Sequence, residues 1–214
     1  MIRVDVVQGT KEWLDAKLGI PSASNFDRIL TPKTMKVSSA MAGYCHELLA
    51  EKVLGHPLDD ATSQFMQRGT LEEKAARAWY GLQQDVDVEE VGFLLRDDGR
   101  VGCSPDGLVG NDGGLEIKTP NAQTHVGYML GEVKDKYTCQ IQGGMWITER
   151  EWWDFVSYNP HLPSTIVRFH RDETFIKHLA IAMDQFLEYL LESQLKLQKL
   201  GLFEGERIPD LRIA

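Results

Sequence analysis

Apolar residues recur at three- and four-residue intervals in several stretches of the chain, the signature of helices with one buried side. Residues 38–54 put Met41, Cys45, Leu48 and Leu49 on one such side, with Ser38 as cap, Gly55 as stop and Lys52 turned outward. Thr70-Leu71-Glu72-Glu73 matches a capping box, and the helix behind it, to about Gly81, is expected to bury Leu71, Ala75, Ala78, Trp79 and Leu82. Residues 135–147 form another helix, in which Gly143-Gly144 permits close packing. A long helix over 172–200 carries Phe175, Leu179, Met183, Phe186 and Leu190 on one side. Shorter helical segments are predicted at 9–16, at 22–30 with Ser22 as cap, and at 121–130. The stretches 31–37 and 56–62 read as loops, the first of them basic, and the tail beyond Gly201 as irregular.

Between residues 86 and 118 the period changes to two. Strands are predicted at 91–96, 101–104, 107–109 and 114–118, with a turn at Asp97-Asp98-Gly99 and Pro120 ending the last. Residues 3–7, 152–157 and 165–169 read as further strands. The helices arrive in blocks and do not alternate strictly with strands. That order predicts an α/β (α+β) architecture, a mixed central sheet flanked by helices, in one domain over residues 1–214.

Composition narrows the function classes. A hydrophobic content of 43% in 214 residues supplies a core, yet no apolar run approaches the ~20 residues that cross a bilayer. The first residues do not read as a signal peptide, and three scattered cysteines form neither a CxxC pair nor a disulfide framework, which fits a reducing cytosol. The net charge of −9 argues against a nucleic-acid coat protein, though not against an enzyme with its cations gathered in one channel. The histidines lack metal-ligand spacing, and no nucleotide-binding loop is present.

The chemistry concentrates in Ser104-Pro105-Asp106 and Gly114-Leu115-Glu116-Ile117-Lys118. In a strand, Glu116 and Lys118 share one side, with Leu115 and Ile117 on the other. The glycine-rich turn before them folds Asp106 back beside Glu116. Two adjacent carboxylates repel and call for a cation, and hard oxygen donors suit Mg²⁺ or Mn²⁺, with the Ile117 carbonyl as a further ligand. Lys118 would add a positive group where water and a phosphate meet.

This arrangement resembles the PD-(D/E)xK nuclease superfamily, and other segments are similar to one branch of it, the lambda-phage-exonuclease-like alkaline nucleases of viral recombination. The similar segments, in the branch's own order, are Trp13 to Ser24, His46 to Glu51, Cys103 to Leu108, Leu115 to Lys118 and Cys139 to Trp146. The resemblance implies a restriction-endonuclease-like fold and a Mg²⁺-dependent exonuclease that degrades the 5′-ended strand of linear duplex DNA to mononucleotides. It also implies a homotrimeric ring, a single-strand annealing protein as partner, and a phage or prophage product working in the bacterial cytoplasm.

By the same resemblance, Glu72 is a carboxylate near the metal, Gln140 holds the water or a phosphate oxygen, and Gln142 is structural. Lys17, Ser24 and Ser104 grip the 5′-phosphate, with lysine where the branch has arginine. That substitution keeps the charge and loses the bidentate fork. Asp97 lies in a segment like the branch's "RDE" but reads equally as a turn acid. Two other readings share these residues: a sequence- or structure-specific endonuclease of the same fold, and a non-catalytic module that binds DNA ends or protein.

Overall fold

The structure, a computed structural model, describes residues 1–58 and 64–203, with the side chains of 64–70 and 134–135 outside that description. Part of the loop expected at 56–62 and most of the tail expected to be irregular therefore lie outside the described residues. A five-stranded sheet runs in the order β10 (Leu162–His170), β9 (Trp152–Asn159), β8 (Gly113–Lys118), β7 (Gly107–Val109), β4 (Val88–Glu89). Strands β8 and β9 are parallel and the other neighbours antiparallel, so the sheet is mixed as expected. A three-stranded sheet joins β1 (Ile2–Val4), β5 (Phe93–Leu95) and β6 (Gly102–Cys103). The expected basic loop closes into a small hairpin instead, β2 (Leu30–Thr31) with β3 (Lys36–Val37), turned by Met35 at φ 50°.

Among the described residues six α-helices cover these sheets: α1 (Lys11–Lys17), α2 (Met41–Leu54), α3 (Gln64–Gln84), α4 (Ala122–Met129), α5 (Lys134–Thr148) and α6 (Glu173–Gln198). A 3-10 helix (Ala23–Arg28) stands where a short helix was expected. Gly55, at φ 73°, stops α2. Asn121 and Asp172 cap α4 and α6 with their side chains.

Each face of the central sheet buries its own core. Leu115, Ile117 and Val156 pack against Ala76 and Tyr80 of α3. On the opposite face Trp153 and Phe155 join Ile141 and Met145 of α5, Phe26 of the 3-10 helix, and Leu179 and Phe186 of α6. A Cβ on Gly143 would meet the Phe26 ring at 2.5 Å, so α5 and the 3-10 helix touch through a residue without a side chain. That contact sets Ser22–Ser24 beside Gln140.

Helix α3 departs most from expectation. It begins at Gln64, so Thr70 lies inside it and not at its start, and Glu73 pairs with Arg77 at 2.6 Å. Among its described side chains the buried ones are Ala76 and Tyr80, whereas Leu71 is 73% and Leu82 87% exposed. Tyr80 sets the helix's rotation, because its hydroxyl donates to the buried Asp154 carboxylate at 2.7 Å.

Candidate active site

The hairpin of β7 and β8 pairs Gly107 with Leu115 and Val109 with Gly113. Strand β7 ends there, one residue short of Asp106. The Asp106 backbone N–H still donates to the Leu115 carbonyl at 3.0 Å, and its carboxylate then replaces the missing strand by accepting the Ile117 N–H at 2.5 Å. A strand residue directs its N–H and C=O to the same side. The Ile117 carbonyl therefore also leaves β8 on the Asp106 side, past the end of β7.

Glu116 and Lys118 project from the opposite face to Leu115 and Ile117, as the alternation predicts. Glu116 is only 4% exposed. Its Oε1 accepts from Lys118 Nζ at 2.5 Å and from Gln140 Nε2 at 2.6 Å. Arg77 bolts α3 to this corner: Nε donates to the Asp106 carbonyl at 2.8 Å while Nη2 holds Glu73.

One cleft is lined by Asp106, Glu116, Lys118 and Gln140 together with Lys17, Ser24 and Ser104, so both sets of expected residues meet in it. The chain closes this distance through a bridge between Ser22 and Gly102, which lays the Ser22–Ser24 segment along β6. Trp13 joins the two segments: its Nε1 donates to Ser104 Oγ at 2.9 Å, and Lys17 Nζ sits 3.8 Å above its ring. Gln8 anchors the Pro105 carbonyl at 2.9 Å.

Charge in this corner is strained. Burial, then the Glu116 charge, pushes the Asp106 carboxyl well above the usual range. Burial raises Glu73 as well, with Arg77 opposing and Glu116 adding to the rise. For Lys118 burial disfavours the charge, but Glu116 and Asp106 outweigh it and hold the ammonium above an ordinary lysine. Burial lowers Lys17 to about 8.

A model of the YqaJ-like viral recombinase domain matches residues 12–151. The chain belongs to this family. An alkaline exonuclease from Laribacter hongkongensis, solved alone and in complex with dAMP, is 34% identical over 90% of this chain and 98% of its own, with a TM-score of 0.79. A phage-related exonuclease from Haemophilus somnus, 15% identical over 82% of this chain and 96% of its own, shares the fold at a TM-score of 0.68. No curated protein matches. The resemblance to the lambda-exonuclease-like nucleases and the mixed-sheet architecture both hold, and the findings support a nuclease of recombination.

Within this recombinase domain the residues can be compared with expectation. Neither the expected Glu72 nor its neighbour Glu73 is among the residues lining the cleft, although Glu73 feels the charges of Glu116 and Lys118 and adds to the rise at Asp106. Gln142 is structural: it bonds the His170 carbonyl and the Asp172 N–H. Asp97 pairs with the Met1 amine at an exposed turn and is not among the residues lining the cleft. Gln8, Glu73 and the bridging role of Trp13 were missed. The four-residue spacing of Trp13 and Lys17 was the available signal for that contact.

The donors fit a hard divalent cation. Asp106 and Glu116 each keep one carboxylate oxygen that accepts no hydrogen bond among the described residues, with the Ile117 carbonyl on the same edge. No three His, Cys, Asp or Glu gather into a cage of their own among the described residues. A hard divalent cation held by two carboxylates and a carbonyl completes its shell with water and substrate phosphate. No helix among the described residues is long and apolar enough to cross a membrane.

Proposed function

We propose that this chain is a Mg²⁺-dependent exonuclease, with Mn²⁺ as a substitute, that degrades the 5′-ended strand of linear double-stranded DNA to mononucleotides. The observation that carries this reading is the single cleft holding both Asp106, Glu116 and Lys118 and the Lys17, Ser24 and Ser104 lip. Asp106, Glu116 and the Ile117 carbonyl would hold the ion, with Glu73 close enough to share its field. When bound, the ion neutralises phosphate charge and acidifies water.

The chain's own residues set the rest. Lys118, held beside Glu116 in the cleft, orients the attacking water or stabilises charge on the phosphate. Gln140 fixes Glu116 through Oε1, which leaves Oε2 turned to other work. Water attacks phosphorus in line, and the bond to the 3′-oxygen breaks. Each cut leaves a new 5′-phosphate on the shortened strand, the group that the lip recognises. A homotrimeric ring, transfer of the surviving strand to a single-strand annealing protein, phage or prophage origin, action in the bacterial cytoplasm and a single-domain chain belong to the same reading through family membership.

The test is a time course on linear duplex, labelled at the 5′ or 3′ end, beside a covalently closed circle. Mononucleotides released first from the 5′ label, only with Mg²⁺ or Mn²⁺ and with the circle left intact, are expected. A cut circle selects the endonuclease, and no release from any DNA selects the non-catalytic module.

A further inference from the structure

Helix α5 turns one stripe of its surface to the cleft. Gly144 and Gln140 lie on that stripe, and Tyr137 and Lys136, three and four residues before Gln140, continue it by one turn beyond the residues that line the cleft. The Tyr137 ring lies 5.5 Å from Lys118 Nζ, and Lys136 Nζ lies 5.3 Å from the same ring. Two ammonium groups thus share one aromatic ring.

Their circumstances differ. Lys118 is committed to Glu116. Lys136 is exposed and makes no ion pair among the described residues. Its Nζ donates to the Tyr128 hydroxyl at 3.2 Å, and that hydroxyl meets the Tyr137 hydroxyl at 2.8 Å. The two phenols position the ammonium without neutralising it. Lys136 also stands in the first turn of α5, where the helix dipole disfavours a cation and favours an anion. On a chain of net charge −9, an exposed cation that shares a ring with Lys118 influences where a phosphate backbone can approach.

We propose that Lys136, braced by Tyr128 and Tyr137, binds a backbone phosphate of the DNA strand adjacent to the phosphate cut at Lys118. This rests on the nuclease reading above and adds a contact to it.

The experiment measures binding of a fluorescein-labelled, 5′-phosphorylated duplex in Ca²⁺ by anisotropy, from 50 to 200 mM NaCl, for the wild type, Lys136→Gln and Lys136→Arg. A phosphate contact contributes about 0.9 to the log–log salt slope. Lys136→Gln is expected to lose about one unit of slope and to bind several-fold more weakly, and Lys136→Arg to keep both. Equal slope and affinity in Lys136→Gln would overturn the proposal, as would slower cleavage with unchanged binding, which would mean that Lys136 acts through Lys118. Nucleotide release with Mg²⁺ is followed in parallel. Wild type that binds but releases nothing defeats the exonuclease reading while the slopes still decide Lys136.

Discussion

Two buried acids stand on neighbouring strands, Glu116 on β8 and Asp154 on β9, each facing a cation, and they are wired differently. Asp154 is 1% exposed and fully satisfied: Arg168 donates to both oxygens at 2.7 Å, and Tyr80 donates to one of them at 2.7 Å. Glu116 is as deeply buried, but Lys118 and Gln140 both crowd onto Oε1, and a second acid, Asp106, stands nearby with its pKa raised. Asp154 ties α3 to the sheet through the Tyr80 hydroxyl, and its ion pair with Arg168 of β10 is complete within the protein. Glu116 belongs to a group with surplus negative charge and open oxygens, which a cation and substrate can complete. Saturation of the oxygens, more than burial, separates the two acids.

That contrast can be broken most sharply at Lys118 and Glu116. Lys118→Ala and Glu116→Gln should each lower nucleotide release from linear duplex by about 10³-fold or more while the protein stays folded and still binds DNA. Asp154→Asn should do the reverse. Its unfolding free energy should fall by about 2 kcal/mol in a denaturant titration, less than for a sealed pair because Arg168 remains 44% exposed, with turnover per folded molecule unchanged. Equal behaviour of the two acids would erase the distinction.

Glu73 sharpens it on a smaller scale. Glu73→Gln should cost roughly 10–100-fold in activity, the range for groups that tune a metal site, whereas Glu72→Gln should stay within about twofold. Steady-state rates at saturating Mg²⁺ decide between the neighbours.

The smallest expected effect is at the lip. Lys17 is lowered to about 8 by burial, so it carries its charge below that pH and loses it above. Preference for 5′-phosphate over 5′-hydroxyl duplex should therefore be greatest below pH 8 and fade as pH rises through it. Lys17→Arg should keep the preference at higher pH, because guanidinium does not titrate there. Initial rates on the two substrates across pH 6.5–9.5 would show it.

How legible this was depended on the kind of signal. The hairpin joining Asp106 to Glu116, and the opposite faces of Glu116 and Ile117, follow from glycine placement and a period of two, which are local. Helix α3 was misread because Leu71, Ala75, Ala78 and Leu82 repeat at helical spacing yet face outward, while the buried side is held by Tyr80 and its bond to Asp154, 74 residues away. That long-range bond fixes the helix rotation and with it which side chains of α3 turn to the sheet. Trp13 linking Ser104 to Lys17 is likewise tertiary: its hydrogen bond spans 91 residues. Period two and turn composition could be read from the chain; rotation and cross-links could not.

The central proposal is that Asp106 and Glu116 hold a divalent cation beside β8, past the end of β7, as a nuclease site. Titrating Mg²⁺ from zero in a chelator-cleaned assay of linear duplex degradation, for the wild type and Asp106→Asn, tests it most directly. The account predicts no release without metal, saturable release with it, and none from Asp106→Asn at any concentration. Release in chelator, or undiminished release from Asp106→Asn, would contradict it.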